Sequence, residues 1–389
     1  MARILIISNI PTPNNDALFS EIASRPHVDL HVTYCADRHA NRLWTLATNK
    51  GYEYSILRGV TLGHGIHFNP GVVSRIRNLQ PDIVVLTGSY LIPTAQMAMA
   101  TLWRRGIPWL YWGEELRNHR IAPPQAAFRS LLRRPLRWAT GVLAIGRKAV
   151  ASYQRAGVSP ERIVNFHYYA DTVRFSAAGQ DRAGARQRLC RRFEIDPSST
   201  VFLFAGQLIH RKGVDTLMEA HGMLLGDGMK SELIVAGGGP LEADVRAAAT
   251  ALDGGKSVRV VGFVQPDQLP ELFAGSDCFI LPSRSEGWGL VVSEAMAAGT
   301  PVISSDQVNA GVELIQNGES GFLFRSGDAG DLARAMRLVA GNPDRLRLSA
   351  NVLAAVEEES LESATTRLLA IVSTVLRGDQ ISQVEAAGS

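Results

Sequence analysis

The sequence predicts an α/β protein built from two doubly wound, mainly parallel sheets. Three observations carry this. Short apolar runs alternate with helical patterns through both halves of the chain, as strand–helix–strand units require. The alternation breaks once, at 177–198, where Gly, Arg and Pro replace it. At 389 residues, with 46% hydrophobic and 20% charged side chains, the chain is long enough to build two cores.

In the first half the strands fall at 3–8, 28–34, 82–87, 107–111, 141–145 and 163–166. They are rich in β-branched and large apolar residues, the composition of strands covered on both faces. Helical patterns lie between them, most clearly at 94–105 and 147–156. In the second half the strands fall at 201–205, 232–236, 258–261, 278–281 and 301–304. Helices follow at 214–224, 241–251, 268–275, 290–298 and 330–340. The reading is a first domain over 1–177, a linker over 178–198, a second domain over 199–370 and a tail over 371–389. No short-period repeat is present, and only the polar end at 378–389 is low in complexity.

Several classes are disfavoured. No apolar run approaches the roughly 18 residues that span a bilayer. The opening MARILIISNIP reads as a strand, too short for a signal peptide and without a small-residue cleavage site. Cys35, Cys190 and Cys278 are far apart and match no metal or redox spacing. Cys278 sits in an apolar strand as a small core residue. A cytosolic location is expected.

Charge is divided unequally. Residues 1–177 carry 21 Lys and Arg against 10 Asp and Glu, whereas residues 178–389 carry 19 against 27. The positive excess is densest between 103 and 148. A basic first half suits an anionic partner or an anionic membrane surface. It is equally the composition of a solvated arginine-rich face. The segment FRSLLRRPLRW at 128–138 interleaves apolar residues with arginines, but Pro135 interrupts it and argues against an unbroken interfacial helix. No nucleic-acid motif accompanies the charge, so a nucleic-acid partner is not expected.

The most informative stretch is Glu286-Gly-Trp-Gly-Leu-Val-Val-Ser-Glu294. It follows the strand at 278–281 and enters the helix at 290–298, so Glu286 lies on a loop and Glu294 about one turn into a helix. Both are at the carboxyl end of a strand, the edge where open α/β sheets bind ligands. The amides of Gly289, Leu290 and Val291 open the helix and suit a diphosphate. Gly287 and Gly289 let the backbone approach it. The two carboxylates are acceptors for hydroxyl groups instead. Lys212, between the strand at 201–205 and the helix at 214–224, is the leading cation. Neighbouring turn residues usually point apart, which leaves Arg211 a less certain partner. Arg284 is a further candidate. Gly237, Gly238 and Gly239 follow the strand at 232–236 and permit close backbone approach, although the spacing is not that of a dinucleotide fingerprint. No Asp-x-Asp and no His/Cys cluster occurs, so a metal is not expected and charge on a diphosphate falls to side-chain cations and amides.

The Glu286–Glu294 stretch resembles the E-x7-E motif of the retaining glycosyltransferases of family 4, the glycosyl transferases group 1. GQLIHRKGVDTL (206–217), AGGGP (236–240), VGFV (261–264), PVISSD (301–306) and NGESGFLF (317–324) occur in the family's order. The resemblance covers essentially all of 200–340. It is thinner earlier, where PDIVVLTG (81–88), GVLAIGRKA (141–149) and FHYYADTVRF (166–175) are similar. It implies the GT-B fold, two Rossmann-like doubly wound domains facing an interdomain cleft. The first would hold the acceptor and the second a nucleotide diphosphate sugar, and the helical pattern at 361–377 would cross back to the first domain. The implied reaction is metal-independent transfer of the sugar to an acceptor hydroxyl with retention, the leaving phosphate helping to deprotonate the acceptor. In bacteria a cell-surface polysaccharide or a lipid-linked precursor is the family's common use. Lys212 would meet the leaving phosphate, with Gly206, Gln207, Arg211, Gly238 and Arg284 nearby. Glu286 would lie near the donor sugar, and Glu294 would accept from ribose hydroxyls. Phe263 and Val264 would meet the nucleobase through their backbone, although Phe263 also reads as a core residue.

The chain departs from the family pattern in its cations and in its first domain. Many members have Arg where Gln207 stands, and an amide cannot neutralise charge. Either Arg211 substitutes or the diphosphate leans on Lys212. A first-domain His found in many relatives is absent after the strand at 107–111. Glu114 or His119 would face the cleft instead, with Trp112 as a platform for a sugar. Trp112 reads equally as a core cap, and Glu114 as a first-turn acid. The first strand ends in Ser-Asn-Ile-Pro-Thr-Pro-Asn-Asn without a glycine-rich loop. There Asn14 and Asn15 are acceptor ligands or routine turn residues. A nucleotide-sugar epimerase and a catalytically silent sugar-nucleotide-binding protein stay open beside the transferase.

Overall fold

The computed structural model describes residues 1–37, 50–62, 65–116, 123–341 and 345–382. The chain divides into two compact units: Met1–Tyr168 with Leu361–Ser389, and Tyr169–Ser360.

In the first unit β1 (Ala2–Ser8), β2 (Val28–Tyr34) and β3 (Glu53–Ile56) are followed by a hairpin of β4 (Val60–Leu62) and β5 (Ile66–Phe68). Then come β6 (Ile83–Thr87), β7 (Trp109–Gly113), β8 (Gly141–Ala144) and β9 (Ile163–Asn165). Seven strands form one sheet in the order β3-β2-β1-β6-β7-β8-β9, with β4 and β5 a separate antiparallel pair. Every pairing within the large sheet is parallel, for example Ile4 opposite both Leu30 and Ile83. Leu5, Ile7, Val84, Leu86, Trp109 and Tyr111 point from it into one apolar cluster with Met99 and Leu102. The helix Leu361–Arg377 also belongs to this unit and packs on helix Pro13–Ala23.

In the second unit β10 (Thr200–Ala205), β11 (Ser231–Ala236), β12 (Val258–Gly262), β13 (Cys278–Leu281), β14 (Val302–Ser305) and β15 (Gly321–Phe324) follow in sequence. The sheet order is β12-β11-β10-β13-β14-β15, again all parallel. Numbered from one, this is the 3-2-1-4-5-6 order of the Rossmann sheet, which reverses between its first and fourth strands. The reversal falls between β10 and β13, which pair through Phe202–Cys278 and Leu203–Phe279.

The segment 178–198, read from sequence as a linker, is not one in the structure. It holds the whole of helix Arg182–Phe193, which packs against helix Leu269–Gly275 within the second unit. The chain passes between units at 168–169 and again at 360–361. Arginine carries the packing there. Arg182 donates to Ala298 O, Thr300 Oγ1 and Ser276 O, and Arg186 to Gly275 O, so polar residues cap neighbouring helix ends. A search for apolar periodicity cannot see such a helix.

Candidate active site

The loops that leave β10 and β13 meet at the reversal. After β10 the chain makes a short 3-10 turn, His210–Lys212, and then Gly213 with φ +68° opens helix Val214–Gly226. A Cβ on Gly213 would lie 2.1 Å from Pro282 O, so only glycine lets this turn press on the loop after β13. Two polar braces hold the contact. The Arg284 amide donates to Arg211 O at 2.8 Å. The Arg284 guanidinium donates to His210 O and forks onto both carboxylate oxygens of Asp215 at 2.7 Å each.

This contact brings Lys212 to Glu286. Lys212 Nζ donates to Glu286 Oε2 at 2.5 Å, and Arg211 Nη1 to Glu286 Oε1 at 3.1 Å. Ser283 Oγ adds a bond to Oε2 at 3.2 Å. Arg211 and Lys212, expected to diverge, converge on one carboxylate, each reaching a different oxygen of Glu286. Burial alone would raise the Glu286 pKa, but the charges and hydrogen bonds of Lys212 and then Arg211 outweigh it and hold the carboxyl below its ordinary range. Glu286 is therefore ionised at neutral pH. Two cations face one anion, and the trio keeps a net positive charge.

Glu294 lies in the first turn of helix Val291–Ala297. Burial raises its carboxyl pKa to about 7, with Arg174 opposing and Asp171 adding to the shift. The helix has only seven residues, shorter than the sequence pattern implied, and its Val292 amide is already bonded to Gly289 O. Its dipole is correspondingly small, and the weight of binding an anion moves to Lys212 and Arg211. Gly289 has φ +101°, and a Cβ there would meet Val308 Cγ1 at 2.7 Å. The fold itself thus requires this glycine. Gly287 O accepts from Asn309 Nδ2 at 2.7 Å, which fixes the loop before Leu290 and Val291.

The neighbouring loops are laced together. Gly206 N donates to Ala236 O, Leu208 N to Gly238 O, and Gly237 N to Gly262 O. Gln207 is exposed beside them. Val264 is buried, but Phe263 is 42% exposed, so its reading as a core residue is corrected. Arg284 pairs with Asp215 and braces the loops.

The first-unit expectations fare differently. Trp112 is buried, donates through Nε1 to Phe166 O at 3.0 Å and packs on Phe166 and Tyr168. It is a core residue, not a sugar platform, because β7 runs on through Gly113 in the middle of the sheet and both its faces are covered. Glu114 is the first residue beyond β7 and is exposed at the strand's carboxyl end. Its charge reaches Tyr111, Tyr153 and Tyr168, whose pKa values are raised chiefly by burial. His119 lies outside the described residues. Asn14 and Asn15 occupy the first turn of helix Pro13–Ala23, whose cap is Thr12.

Sequence reasoning missed Ser283, Asp215, Asn309 and Arg174. Ser283 acts within its own loop, three residues from Glu286, and the other three act through contacts between distant segments; Asp215 and Arg174 lay in stretches already singled out. Among the described residues no three His, Cys, Asp or Glu side chains group as metal ligands, and no helix is long and apolar enough to cross a membrane. A groove of about 480 Å³ lies between helices Val214–Gly226 and Glu242–Asp253. Apolar residues dominate it, and it includes none of Arg211, Lys212 and Glu286, so it is not the anion site.

Comparison with known proteins agrees with this geometry. Residues 186–352 match the family described as glycosyl transferases group 1. The chain is 32% identical over 197 residues to the D-inositol 3-phosphate glycosyltransferase of Rhodococcus jostii (strain RHA1), covering 49% of this chain and 42% of that protein. It is 34% identical over 176 residues to the amylovoran biosynthesis glycosyltransferase AmsK of Erwinia amylovora, covering 43% of each. The chain thus spans less than half the length of either relative. Anabaena Alr3699/HepE, solved in complex with UDP, superposes with a TM-score of 0.76 at 17% identity over 96% of this chain and all of that one. That likeness shows the fold, two Rossmann-like domains of the GT-B type. Over residues 186–352 the chain is similar to the glycosyl transferases group 1 family.

Proposed function

We propose that this protein is a retaining, metal-independent glycosyltransferase that moves a sugar from a nucleotide diphosphate sugar to an acceptor hydroxyl. One observation carries the reading: Lys212 and Arg211 converge on Glu286 where the Rossmann sheet reverses, leaving a net positive charge. As the bond from the sugar to the diphosphate breaks, negative charge grows on the departing oxygen. Preorganised cations at that point stabilise the transition state more than the ground state. Arg211 takes the place of the arginine that Gln207 does not supply. Glu286 holds both cations in position and presents a carboxylate to the sugar hydroxyls. Glu294 accepts from the ribose.

The acceptor is anionic or lipid-linked, with polysaccharide or glycolipid biosynthesis as the setting. The basic first half supports this, and so do relatives named for an inositol phosphate and for amylovoran. The protein works in the cytoplasm, in peripheral contact with the membrane where the acceptor is anchored.

The test is a thermal-shift screen of nucleotide diphosphate sugars, since a ligand that binds the folded state raises the midpoint by mass action. The nucleotide sugar that shifts the wild type should shift Lys212→Ala less. With an acceptor added, nucleoside diphosphate release should depend on it, and the product should keep the donor's anomeric configuration. No shift with any nucleotide sugar, or an inverted product, overturns the reading.

A further inference from the structure

From Leu91 to Trp138 the sequence holds eight arginines against two acidic residues, Glu114 and Glu115. Within this stretch helix Pro123–Arg133 exposes Phe128 (60%) and Leu131 (53%), with Pro124 and Ala127 exposed at the same helical spacing. The helix ends before Pro135, and the chain continues as a 3-10 turn, Arg134–Trp138. The proline read from sequence as interrupting an interfacial helix therefore stands beyond its end. Trp138 (49% exposed) stacks on Trp103 (56% exposed), with ring centroids 5.0 Å apart and 24° between planes. Arg104 and Arg105 directly follow one indole and Arg137 directly precedes the other; all three are exposed, as is Arg134.

Two half-open indoles with a phenylalanine and a leucine make an apolar surface that an isolated protein gains nothing by exposing. Tryptophan is the residue that settles at the membrane–water boundary, and exposed arginines beside it match lipid phosphates. A second copy of the chain is a poor occupant, since a two-fold contact would set these arginines against their own counterparts.

We propose that the surface formed by the Trp103–Trp138 pair and the exposed stripe of helix Pro123–Arg133 docks on an anionic lipid bilayer. The indoles, Phe128 and Leu131 enter the interfacial layer, and Arg104, Arg105, Arg134 and Arg137 meet the headgroup phosphates. This deepens the lipid-linked acceptor reading above and rests on it for its purpose. Vesicle binding is measured with no donor present, so it fails or holds separately from the transfer chemistry.

The experiment is co-sedimentation of the full chain with vesicles of phosphatidylcholine alone and of phosphatidylcholine and phosphatidylglycerol in equal parts. The mixed vesicles should bind the protein and the neutral ones should not, with binding falling as salt is raised. At about fivefold per arginine, the triple variant Arg104→Glu, Arg105→Glu, Arg134→Glu should partition on the order of a hundredfold less. Trp103→Ala with Trp138→Ala should lower binding at least ~10-fold and leave the nucleotide-sugar thermal shift intact. Equal binding to both vesicle types, binding to neither, or undiminished binding by the triple variant overturns the proposal. So does a dimer in sedimentation velocity that needs Trp103 and Trp138 and forms without vesicle binding.

Discussion

Lys212 and Glu286, 74 positions apart in sequence, form an ion pair of 2.5 Å in which both side chains are largely buried. The pair joins the two strands that flank the sheet's reversal, so neither residue can move without disturbing the other's loop. An ion pair shielded this way owes its geometry to the fold and keeps it when no ligand is bound.

Replacing Lys212 by Ala should lower turnover at saturating donor by roughly 10²–10³-fold, by analogy with the loss of one preorganised donor to a developing oxyanion. Circular dichroism should show the variant folded. A folded Lys212→Ala enzyme with unchanged turnover would falsify the role given to this lysine.

The raised pKa of Glu294 fixes a stability profile with pH. Its ordinary value is 4.5 and its folded value about 7. Below about pH 4.5 the group is protonated in both states and costs nothing. As pH rises toward 7 the unfolded chain releases its proton first, so stability falls, and above 7 the full penalty stands. Glu294→Gln removes that penalty. Without donor, the variant should match the wild type near pH 4 and exceed it near pH 8 by on the order of 2 kcal/mol, allowing for solvent screening at the exposed edge. Urea unfolding at the two pH values measures this. In donor titrations the same variant should lose affinity more than turnover.

Gly213→Ala tests the contact that assembles the site. Its Cβ would meet Pro282 O in a backbone conformation that disfavours any side chain. A stability loss of about 2–4 kcal/mol is expected, with a fall in turnover because Lys212 is displaced. Retention of both stability and activity would mean that the two loops are not held as the structure shows.

Trp112→Phe separates a core role from a sugar-binding one. Losing the indole N–H leaves Phe166 O without this donor and removes buried volume, which should cost about 1–3 kcal/mol in unfolding. The KM values for donor and acceptor should not change. A selective rise in acceptor KM at unaltered stability would restore the platform reading.

If Lys212 and Arg211 meet the diphosphate as proposed, a chelator should leave turnover unchanged. Measured turnover that vanishes with the chelator and returns only with magnesium or manganese would sink the metal-independent reading.

Much of the fold was legible because β1, β6, β10, β11 and β13 hold apolar runs, and burial on both faces demands such runs, while β2 shows a strand's period-two alternation. Short edge strands were not. Glu53–Ile56 is mostly exposed, and Gly321–Phe324 was read only as part of a turn motif. The places of Glu286 and Lys212 on loops beyond strand ends, and of Glu294 in the helix that follows, were legible in the sequence. The ion pair of Arg284 with Asp215 was not legible because the two are 69 positions apart, and no local pattern announces such a brace. Trp112 was misread by position, since the strand continues one residue past it.

The second unit is one uninterrupted stretch of chain, Tyr169–Ser360, and its ends lie side by side through the parallel bridge between Ala170 and Ser360. Such a stretch meets the geometric condition for an inserted cassette: its entry and exit coincide, so it can be excised or swapped without stretching the remainder. Recombination between relatives at these two neighbouring points would exchange the second unit as a block and leave the first unit's own sheet unbroken.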